Sequence, residues 1–451
     1  MRLSWKIEAS RADRQHSYVV EESATRDFAE ITASTGPVVS ASQIGVAAPG
    51  DPLLSREVRY YRVRVRLGDD WSTWSEPLEV EAGLLEAREW MAKAITIEGD
   101  TGAERQSPSP MFRREFILDS DPVRARLHIT SLGVHTASIN GSPVSDELLA
   151  PGWTSYRTRL LAATHDVTDL LRFGPNVVSA TLGDGWYRGR LGWQPGNDRC
   201  RYGTEVALIA QLEVELAHGG TVTIFTDDDW QAAIGEVLAA DLYDGSTVDL
   251  RLGMPGWEEP GYDASAWSPV RVVSFDSSTI HPRMTAPVRV VDRWNAEELH
   301  AGGGERVFDG KQNIAGYLRM VVEGRAGDQV VVRHSEVLEP DGSLHTRSLR
   351  SAQATDEYVL GANAGPTTLQ PAFTFHGFRY AGIRTEATIK SAEFVAISSD
   401  LPRRSSFECS LPILNRLHEN VVWSQRDNFV SVPTDCPQRD ERLGWTGDAQ
   451  A

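Results

Sequence analysis

Short stretches in which apolar and polar residues alternate recur over most of the 451 residues, and this period of two constrains the fold most strongly. In the stretch YRVRVR, Tyr61, Val63 and Val65 fall on one face and arginines on the other, as in a half-buried strand. Turn signals separate these stretches, and the pair Asn140-Gly141 is typical of a hairpin. Because the chain is too long for one ordinary domain, we predict a mainly β protein built from successive β-sandwiches.

The first two sandwiches are predicted from different signals. The stretch DDWSTWSEPLEVEA combines a polar turn, two tryptophans and an alternating run, and residues 1–85 resemble a fibronectin type III module. The polar segment GDTGAERQSPSP reads as a linker. Alternating runs resume after it, so we predict a second β-sandwich over residues 110–285.

The end of the chain changes from strands to a helix. Valine-rich runs between Gly and Asp-Gly turns predict a third sandwich over residues 286–400. In residues 401–451, Ser410 is a candidate N-cap and Pro412 falls in the first helical turn. Four apolar residues then recur at helical spacing: Ile413, Leu414, Leu417 and Val421. A helical domain is therefore predicted to begin here.

Charge and cysteine content exclude several classes of protein. The formal charge of −18 repels nucleic-acid phosphates and anionic membranes, and no basic run offsets it. No leader-like start and no run of eighteen apolar residues is visible, so we expect a soluble, cytoplasmic protein that binds neither nucleic acid nor membrane. The three cysteines, Cys200, Cys409 and Cys436, are too few and too far apart for a disulfide framework. The oligomeric state is not predicted.

Two features that suggest a cofactor or a metal have simpler explanations. The glycines of LGDGWYRG resemble a dinucleotide fingerprint, but their spacing is one residue too long and no amphipathic helix follows. A strand-end turn with Trp186 and Tyr187 packed on the sheet is favoured. His334, His345 and His376 lack metal-ligand spacing and are expected to be structural. We therefore predict no cofactor and no metal.

The last segment, VPTDCPQRDERLGWTGDAQA, concentrates polar residues in a loop. It brings four carboxylates together: Asp435, Asp440, Glu441 and Asp448. Crowded carboxylates raise the pKa of one of them, and such a group can act as a general acid. Ionised carboxylates accept hydrogen bonds from sugar hydroxyls, and an indole such as that of Trp445 suits a sugar ring. The alternative interpretation, equally weighted on physics alone, is a solvated cluster of surface ion pairs over residues 439–442.

Family resemblance decides between these interpretations. DCPQRDERLGWTGDAQ is similar, nearly unaltered, to the signature of the bacterial and fungal α-L-rhamnosidases, which are inverting glycoside hydrolases. Segments such as LGDGWYRG, FDGKQNIAGYLR, RHSEVLEPDG and FTFHGFRY resemble the family's two accessory β-domains of jelly-roll or concanavalin-like type. The resemblance accounts for most of the chain in order, and it implies that the final helical region is the start of an (α/α)₆ barrel, also called a six-hairpin glycosidase domain.

The resemblance also implies roles for individual residues. Glu441 is the expected general acid, while Asp435 and Asp448 are expected to bind rhamnose hydroxyls. Trp445 is expected to line the sugar pocket. Arg439 and Asp440 match the motif and are expected to orient these carboxylates, whereas Cys436 is expected to pack. The second glutamate, the general base, lies downstream in the family, so the chain is expected to be an inactive N-terminal part of the enzyme.

The sequence is compatible with three functions. The first is hydrolysis of terminal α-L-rhamnosyl bonds in rhamnose-containing glycosides or oligosaccharides by the full-length enzyme. The second is carbohydrate binding by the sandwiches without hydrolysis, which fold alone does not exclude. The third, a scaffold built on the fibronectin-like segment, leaves the terminal motif unexplained.

Overall fold

A computed structural model describes residues 1–8, 14–99, 106–193, 199–299, 304–362 and 365–447. The chain forms two compact units, Met1–Trp90 and Met91–Ala451. Strands dominate both units, which confirms the predicted mainly β architecture. None of the helices in the described ranges is long and apolar enough to cross a bilayer.

The first unit is a small β-structure with one main sheet. Its strands are β1 Arg2–Leu3, β2 Gln15–Ser23, β3 Ile31–Ser34, β4 Val38–Val39, β5 Val46–Ala47, β6 Val58–Leu67, β7 Asp70–Trp71 and β8 Leu78–Glu81, followed by a 3₁₀ turn at Ala87–Glu89. The main sheet has the order β3-β2-β6-β7, with β4 beside β2 and β8 beside β6, while β1 pairs with β5. Tyr61 and Val65 are buried with Val20, and Arg62 and Arg64 lie over the Trp74 ring, as the alternation of β6 predicts.

The second unit begins with a large, mainly antiparallel sheet, in which only β14 and β22 of the described strands pair in parallel. The strands from residue 94 to residue 282 are β9 Ala94–Ile97, β10 Pro110–Leu118, β11 Pro122–Leu132, β12 Val134–Ile139, β13 Ser142–Pro143, β14 Leu160–Asp166, β15 Gly174–Gly183, β16 Ala207–Leu216, β17 Thr221–Phe225, β18 Gln231–Ile234, β19 Val237–Asp241, β20 Gly245–Asp249, β21 Ser268–Val273 and β22 Ile280–Pro282. All but β19 and β20 form one sheet, ordered β13-β12-β15-β10-β18-β21-β9-β16-β11-β14-β22 with β17 on β16. Asn140 and Gly141 have φ values of 51° and 78° and turn the β12–β13 hairpin, which confirms that prediction.

A second large sheet follows. Its strands are β23 Val288–Asn295, β24 Glu297–Leu299, β25 Arg306–Glu323, β26 Gln329–Ser335, β27 Thr355–Val359, β28 Thr367–Leu369, β29 His376–Thr385 and β30 Thr388–Ser399. The order is β19-β20-β27-β26-β29-β25-β30-β23, with β24 and β28 also on β25. The hairpin β19–β20 comes from the region predicted as the second sandwich, yet β20 pairs in parallel with β27. Leu242 and Tyr243 lie between β19 and β20, so they belong to the edge of the second large sheet.

Helices are few and short. They are α1 Gly185–Arg188, α2 Pro412–Asn428 and 3₁₀ turns at Thr168–Leu170, Leu250–Leu252, Ser277–Thr279 and Arg347–Leu349; α2 leads into a small hairpin, β31 Phe429–Val430 and β32 Val432–Pro433. Pro412 occupies the first turn of α2 as predicted, but the N-cap residue is Leu411 and not Ser410. Leu411 is extended, and the Asn415 side chain bonds the backbone of Cys409 instead.

The two faces of α2 have different surroundings. Trp423 packs edge-on against Trp294 of β23, with ring centroids 6.2 Å apart. The apolar row that predicted the helix is exposed to solvent: Ile413, Leu414, Leu417 and Val421. Helix α2 therefore rests on the second large sheet through its C-terminal half.

Candidate active site

The signature segment is an irregular loop that follows α2 and the β31–β32 hairpin. No helix or strand is assigned between residues 434 and 446, apart from an isolated bridge between Thr434 and Gly444. Pro437 and Gln438 lie directly against Gly377 of β29, where a Cβ would come within 2.7 Å of the Gln438 nitrogen. Only glycine fits at that position of the strand, so β29 and the loop approach each other backbone to backbone.

Arg442 is a buried residue of the loop and fixes it to the protein interior. Its guanidinium is 1% exposed and donates to the carbonyl oxygens of Leu242 at 2.5 Å and Phe375 at 3.0 Å. It lies 5.1 Å from the ring centre of Tyr243 and 4.9 Å from that of Phe375. Burial lowers the pKa of Arg442 to about 10. The interpretation of residues 439–442 as a solvated surface cluster is therefore wrong for Arg442, because its bonds go to buried carbonyls.

Asp435 and Glu441 form a pair of close carboxylates. Their oxygens, together with the Cys436 sulfur, lie within 4.8 Å of one another. Burial, followed by the hydrogen bond with Glu441 and the charge of Glu441, raises the pKa of Asp435. Although burial opposes it, the hydrogen bond from Asp435 and the guanidiniums of Arg350 and Arg439 lower the pKa of Glu441. The two carboxyl groups therefore titrate as a pair, with the pKa of Asp435 raised and that of Glu441 lowered.

Arg350 ties the loop to the second large sheet and is the residue that sequence reasoning missed. Its Nη2 donates to Glu441 Oε2 at 2.7 Å, and its Nε lies 2.6 Å from Asp440 Oδ1. Arg350 has φ 58° and ψ −110°, a backbone conformation that is costly for a residue with a side chain. Strain of this kind persists where the surrounding contacts hold it, and here it aims the guanidinium at two carboxylates. No sequence signal marks Arg350, which precedes the loop by about ninety residues.

Asp440 and Arg439 have different roles around the pair. Asp440 is 6% exposed and accepts from the Ser351 backbone N–H at 3.2 Å and from the Ser351 hydroxyl. Arg439 is partly exposed and reaches Glu441 Oε2 at 3.1 Å and Asp435 Oδ2 at 3.7 Å. Asp440 thus fixes the loop to the turn at Arg350 and Ser351. Arg439, which is partly exposed, supplies positive charge beside the carboxylate pair.

A buried network beneath the loop explains the segment LGDGWYRG. The Tyr243 hydroxyl donates to the Glu441 carbonyl at 2.5 Å, and the Tyr243 backbone N–H donates to Asp241 at 2.9 Å. Arg199 joins Asp241 to Asp184 of that segment, and both carboxylates are buried. Asp184 therefore supports the floor of the loop. Trp186 is 2% exposed and lies in the single turn of α1, so this segment serves packing as predicted.

The remaining predicted residues lie at the edge of the loop. Trp445 is 45% exposed, and its backbone N–H bonds to the Pro433 carbonyl at 3.1 Å. Cys436 is buried, and burial raises the pKa of its thiol. The position of Asp448 lies outside the described residues. The structure thus brings together Asp435, Glu441, Asp440 and Arg439, and leaves the Trp445 indole open to solvent.

Among the residues that the structure describes, two groups of side chains have the composition of a metal site. One is the Asp435, Cys436 and Glu441 group described above. The other combines His334, Asp356 and His376, all fully buried. His376 lies 3.0 Å from Asp356, and the His334 and His376 rings stack with centroids 4.0 Å apart. The sequence did not predict that these two histidines, on β26 and β29, would meet.

Comparison with known families divides the chain into four consecutive matches. The Rha78A-like N-terminal immunoglobulin domain matches residues 1–86, and the α-L-rhamnosidase N-terminal domain matches residues 120–292. The bacterial α-L-rhamnosidase concanavalin-like domain matches residues 299–398, and the six-hairpin glycosidase domain of the same enzymes matches residues 402–451. All four matches point to one family.

Individual relatives agree with these matches. An α-L-rhamnosidase from Streptomyces avermitilis is 42% identical over 386 residues, covering 83% of this chain and 36% of the relative. One from Formosa agariphila is 36% identical over 428 residues, covering 91% of this chain and 46% of the relative. The chain thus spans less than half the length of these two curated relatives.

Solved structures show the same likeness. The native α-L-rhamnosidase from Aspergillus terreus matches with a TM-score of 0.91 and 37% identity, covering 99% of this chain and 52% of that one. The Streptomyces avermitilis enzyme complexed with L-rhamnose matches with a TM-score of 0.87 and 30% identity, covering 99% of this chain and 60% of that one. With its signature loop, its sheets and its relatives in agreement, the chain belongs to the α-L-rhamnosidase family.

Proposed function

We propose that this chain contains the general acid of an α-L-rhamnosidase, which hydrolyses terminal, non-reducing α-L-rhamnosyl bonds with inversion. The observation that supports it most is the close pair of carboxyl groups of Asp435 and Glu441, which lies beside the guanidiniums of Arg350 and Arg439. Glu441 is the proposed general acid for the glycosidic oxygen. Asp435 and Asp448 are proposed to bind rhamnose hydroxyls, and Trp445 to stack on the ring.

Substrate binding would change the balance between the two carboxyl groups. Without substrate, burial and the neighbouring Glu441 raise the pKa of Asp435, while the hydrogen bond from Asp435 and the guanidiniums of Arg350 and Arg439 lower the pKa of Glu441 against the effect of burial. Rhamnose hydroxyls that donate to Asp435 would stabilise its ionised form and lower its pKa. An ionised Asp435 beside Glu441 raises the pKa of Glu441, which favours the protonated form that a general acid needs.

Inversion requires a second carboxylate that activates water from the opposite face. The two carboxyl groups of inverting enzymes lie roughly 6.5–9.5 Å apart, which leaves room for the water. Asp435 approaches Glu441 within 4.8 Å and is therefore too close for that task. We propose that the base is a glutamate supplied by the remainder of the six-hairpin domain, as the family resemblance implies, so the 451 residues alone should not turn over substrate.

The substrates and the setting are proposed in the same way. Rhamnose-containing glycosides or oligosaccharides are the proposed substrates, because the S. avermitilis relative was solved with L-rhamnose. An intracellular site of action is proposed because the chain has only three cysteines, widely spaced along the sequence, as is usual for reducing compartments. The predicted domain boundaries, 1–85, 110–285, 286–400 and 401–451, are retained as proposals for dissecting the chain.

A direct test compares this chain with a chimera that continues residue 447 into the rest of the six-hairpin domain of the S. avermitilis relative. Both are assayed for L-rhamnose release from an α-L-rhamnosyl disaccharide, whose leaving group requires a proton, and the first product anomer is read by NMR. We expect turnover by the chimera, loss of turnover in its Glu441→Gln variant, and β-L-rhamnose as the first product. A folded chimera without turnover would contradict the proposed activity, and α-L-rhamnose as first product would contradict inversion.

A further inference from the structure

An open groove lies in the second unit, away from the signature loop. Its wider part has a volume of about 860 Å³ and its narrower part about 350 Å³, both in the range of small-molecule sites. The two parts share four polar lining residues, Thr136, Thr181, Glu236 and Gln370. None of the described lining residues comes from the signature loop, so this groove is separate from the candidate active site.

The groove is lined by both large sheets. Thr136 and Thr181 belong to β12 and β15 of the first large sheet, whereas Glu236 directly precedes β19, an edge strand of the second. Tyr358 of β27 and Gln370, which follows β28, line the narrower part. Because paired strands hold these residues, the groove is a preformed feature of the scaffold.

The polar groups of the groove fit a neutral ligand rich in hydroxyls. Among the described residues that line it, hydroxyl and amide groups are frequent, while lysine, arginine and histidine do not occur. A groove without a cationic side chain offers nothing to neutralise an anionic ligand. Threonine hydroxyls and a glutamine amide both donate and accept, which is the pattern that sugar hydroxyls require.

Glu236 is the strongest sign that a ligand belongs here. Burial raises the pKa of its carboxyl group. In the part of the chain that the structure describes, no side chain or backbone group forms a hydrogen bond or an ion pair with that carboxylate, although Gly253 lies beside it. Glu236 is partly buried, and its carboxylate keeps acceptor capacity that no described protein group uses. Vicinal hydroxyls of a sugar would supply the missing donors.

An aromatic side chain stands at the wide part. Trp257 lines the groove and is only partly buried, and its ring lies 5.6 Å from that of the buried Trp267. Indole rings pack well against the apolar face of a sugar ring, and Trp267 holds this one in place. The groove therefore combines an aromatic surface with an unpartnered carboxylate and neutral polar groups.

We propose that this groove is a second carbohydrate-binding site, specific for a neutral oligosaccharide, with Glu236 as the main hydrogen-bond acceptor and Trp257 as the stacking surface. This proposal does not depend on the proposed hydrolysis, because it uses other residues and needs only the 451-residue chain. Such a site would hold a glycan on the enzyme independently of bond cleavage.

The test is isothermal titration calorimetry on the 451-residue chain carrying Asp435→Asn and Glu441→Gln, which removes the candidate active site as a competing binder. The probes are a neutral α-linked L-rhamnose trisaccharide and, for comparison, trigalacturonic acid. We expect saturable binding of the neutral probe with one site per chain and no binding of the anionic probe. Binding of the anionic probe as tightly as the neutral one, or binding of neither, would overturn the proposal.

Variants assign that binding to the groove. Glu236→Gln should weaken binding of the neutral probe about tenfold, because a charged acceptor is replaced by an amide. Thr181→Val, which keeps the side-chain shape, should weaken it less. Glu357→Gln, at an exposed position of β27 outside the groove, is the matched control and should leave the affinity unchanged. Equal affinity in the Glu236, Thr181 and Glu357 variants, with unfolding midpoints unaltered, would show that the groove is not the binding site.

Discussion

Two polar clusters lie on opposite sides of the same strand end and behave differently. Phe375 and Gly377 contact the signature loop, through Arg442 and Pro437 respectively. His376, between them, is fully buried with Asp356 and His334. Because successive residues of a strand point to opposite sides, one three-residue stretch supports the candidate site and the interior cluster at once.

The difference between the clusters concerns access and charge balance. The Asp435–Glu441 pair is partly exposed, and Arg350 and Arg439 offset its charge, so a ligand can reach it. In the interior cluster, burial and then the neighbouring His376 lower the pKa of His334 to about 3, so that imidazole stays neutral at ordinary pH. A dense group of titratable residues therefore becomes a catalytic candidate only where a substrate can reach it.

The largest expected effect concerns Glu441, the proposed general acid of the partly exposed carboxylate pair. Replacing Glu441 by Gln in the chimera should lower kcat about a thousandfold, because proton donation to the leaving group is lost. Steady-state kinetics with an α-L-rhamnosyl disaccharide, whose alkoxide leaving group needs the proton, measures this, and Glu357→Gln is the control with the same chemical change. A Glu441→Gln enzyme that retains wild-type kcat would remove Glu441 from the acid role.

The next largest effect is expected for Arg442, which joins the signature loop to the second large sheet. Arg442→Met should reduce the free energy of unfolding by about 3 kcal/mol, because the carbonyls of Leu242 and Phe375 lose their donors inside the protein. Arg439→Met, which alters a partly exposed residue of the same loop, should cost about 0.5 kcal/mol. Urea unfolding of the 451-residue chain measures both, and equal losses would contradict the anchoring role of Arg442.

The interior cluster of His334, Asp356 and His376 should make the stability of the protein sensitive to acid. The folded pKa of His334 lies near 3, below its usual 6.5, so the unfolded chain binds more protons between these values. This contribution to stability is complete above pH 6.5 and is lost as the pH falls towards 3. Between pH 7 and pH 5 we expect a loss of about 2 kcal/mol that His334→Gln abolishes.

His345→Gln is the matched control for that experiment, because His345 is partly exposed and lies 2.9 Å from Glu339. Urea midpoints at several pH values give the slopes. If wild type and His334→Gln lose stability in parallel on acidification, the interior cluster does not control acid sensitivity.

The smallest expected change in stability comes from Asp427 at the end of α2. Unlike His334, Asp427 should make the protein less stable as the pH rises. Burial, together with the charge of Glu336, raises the pKa of Asp427 to about 7, although the Ala315 N–H bond opposes this. The folded state therefore binds the proton more tightly, and stability falls as the pH rises from about 4 to 7.

Asp427→Asn keeps an acceptor for Ala315 and removes the titration. Between pH 5 and pH 6 the variant should gain about 1 kcal/mol relative to wild type. Asp292→Asn, at an exposed position of β23, is the control. A constant difference between Asp427→Asn and wild type across this range would show that Asp427 does not titrate there.

The local elements of the fold were open to prediction because their signals are local. The alternation around Tyr61, the Asn140-Gly141 turn and the spacing of Leu414 and Leu417 gave strands, a hairpin and a helix in the right places. Ser410 was wrong as N-cap because the cap depends on backbone angles that side-chain preference does not determine.

The candidate site was predictable only within its own loop. The identities of Asp435, Glu441 and Arg439 were readable because the motif places them within seven positions, and their roles remain predictions. The sequence by itself thus determined the strand-rich architecture, the family and the residues of the signature loop, since periodicity and a contiguous motif are properties of neighbouring residues.

Tertiary structure alone decided the remainder. It placed Arg350 and Tyr243 against Glu441, although they lie 91 and 198 positions away along the chain. It stacked His334 on His376 and paired the hairpin β19–β20 with β27. These contacts join distant segments and leave no periodic trace, and the pKa of each carboxyl depends on the burial and charges they create. The directions in which the pKa values of Asp435 and Glu441 shift are therefore set by packing.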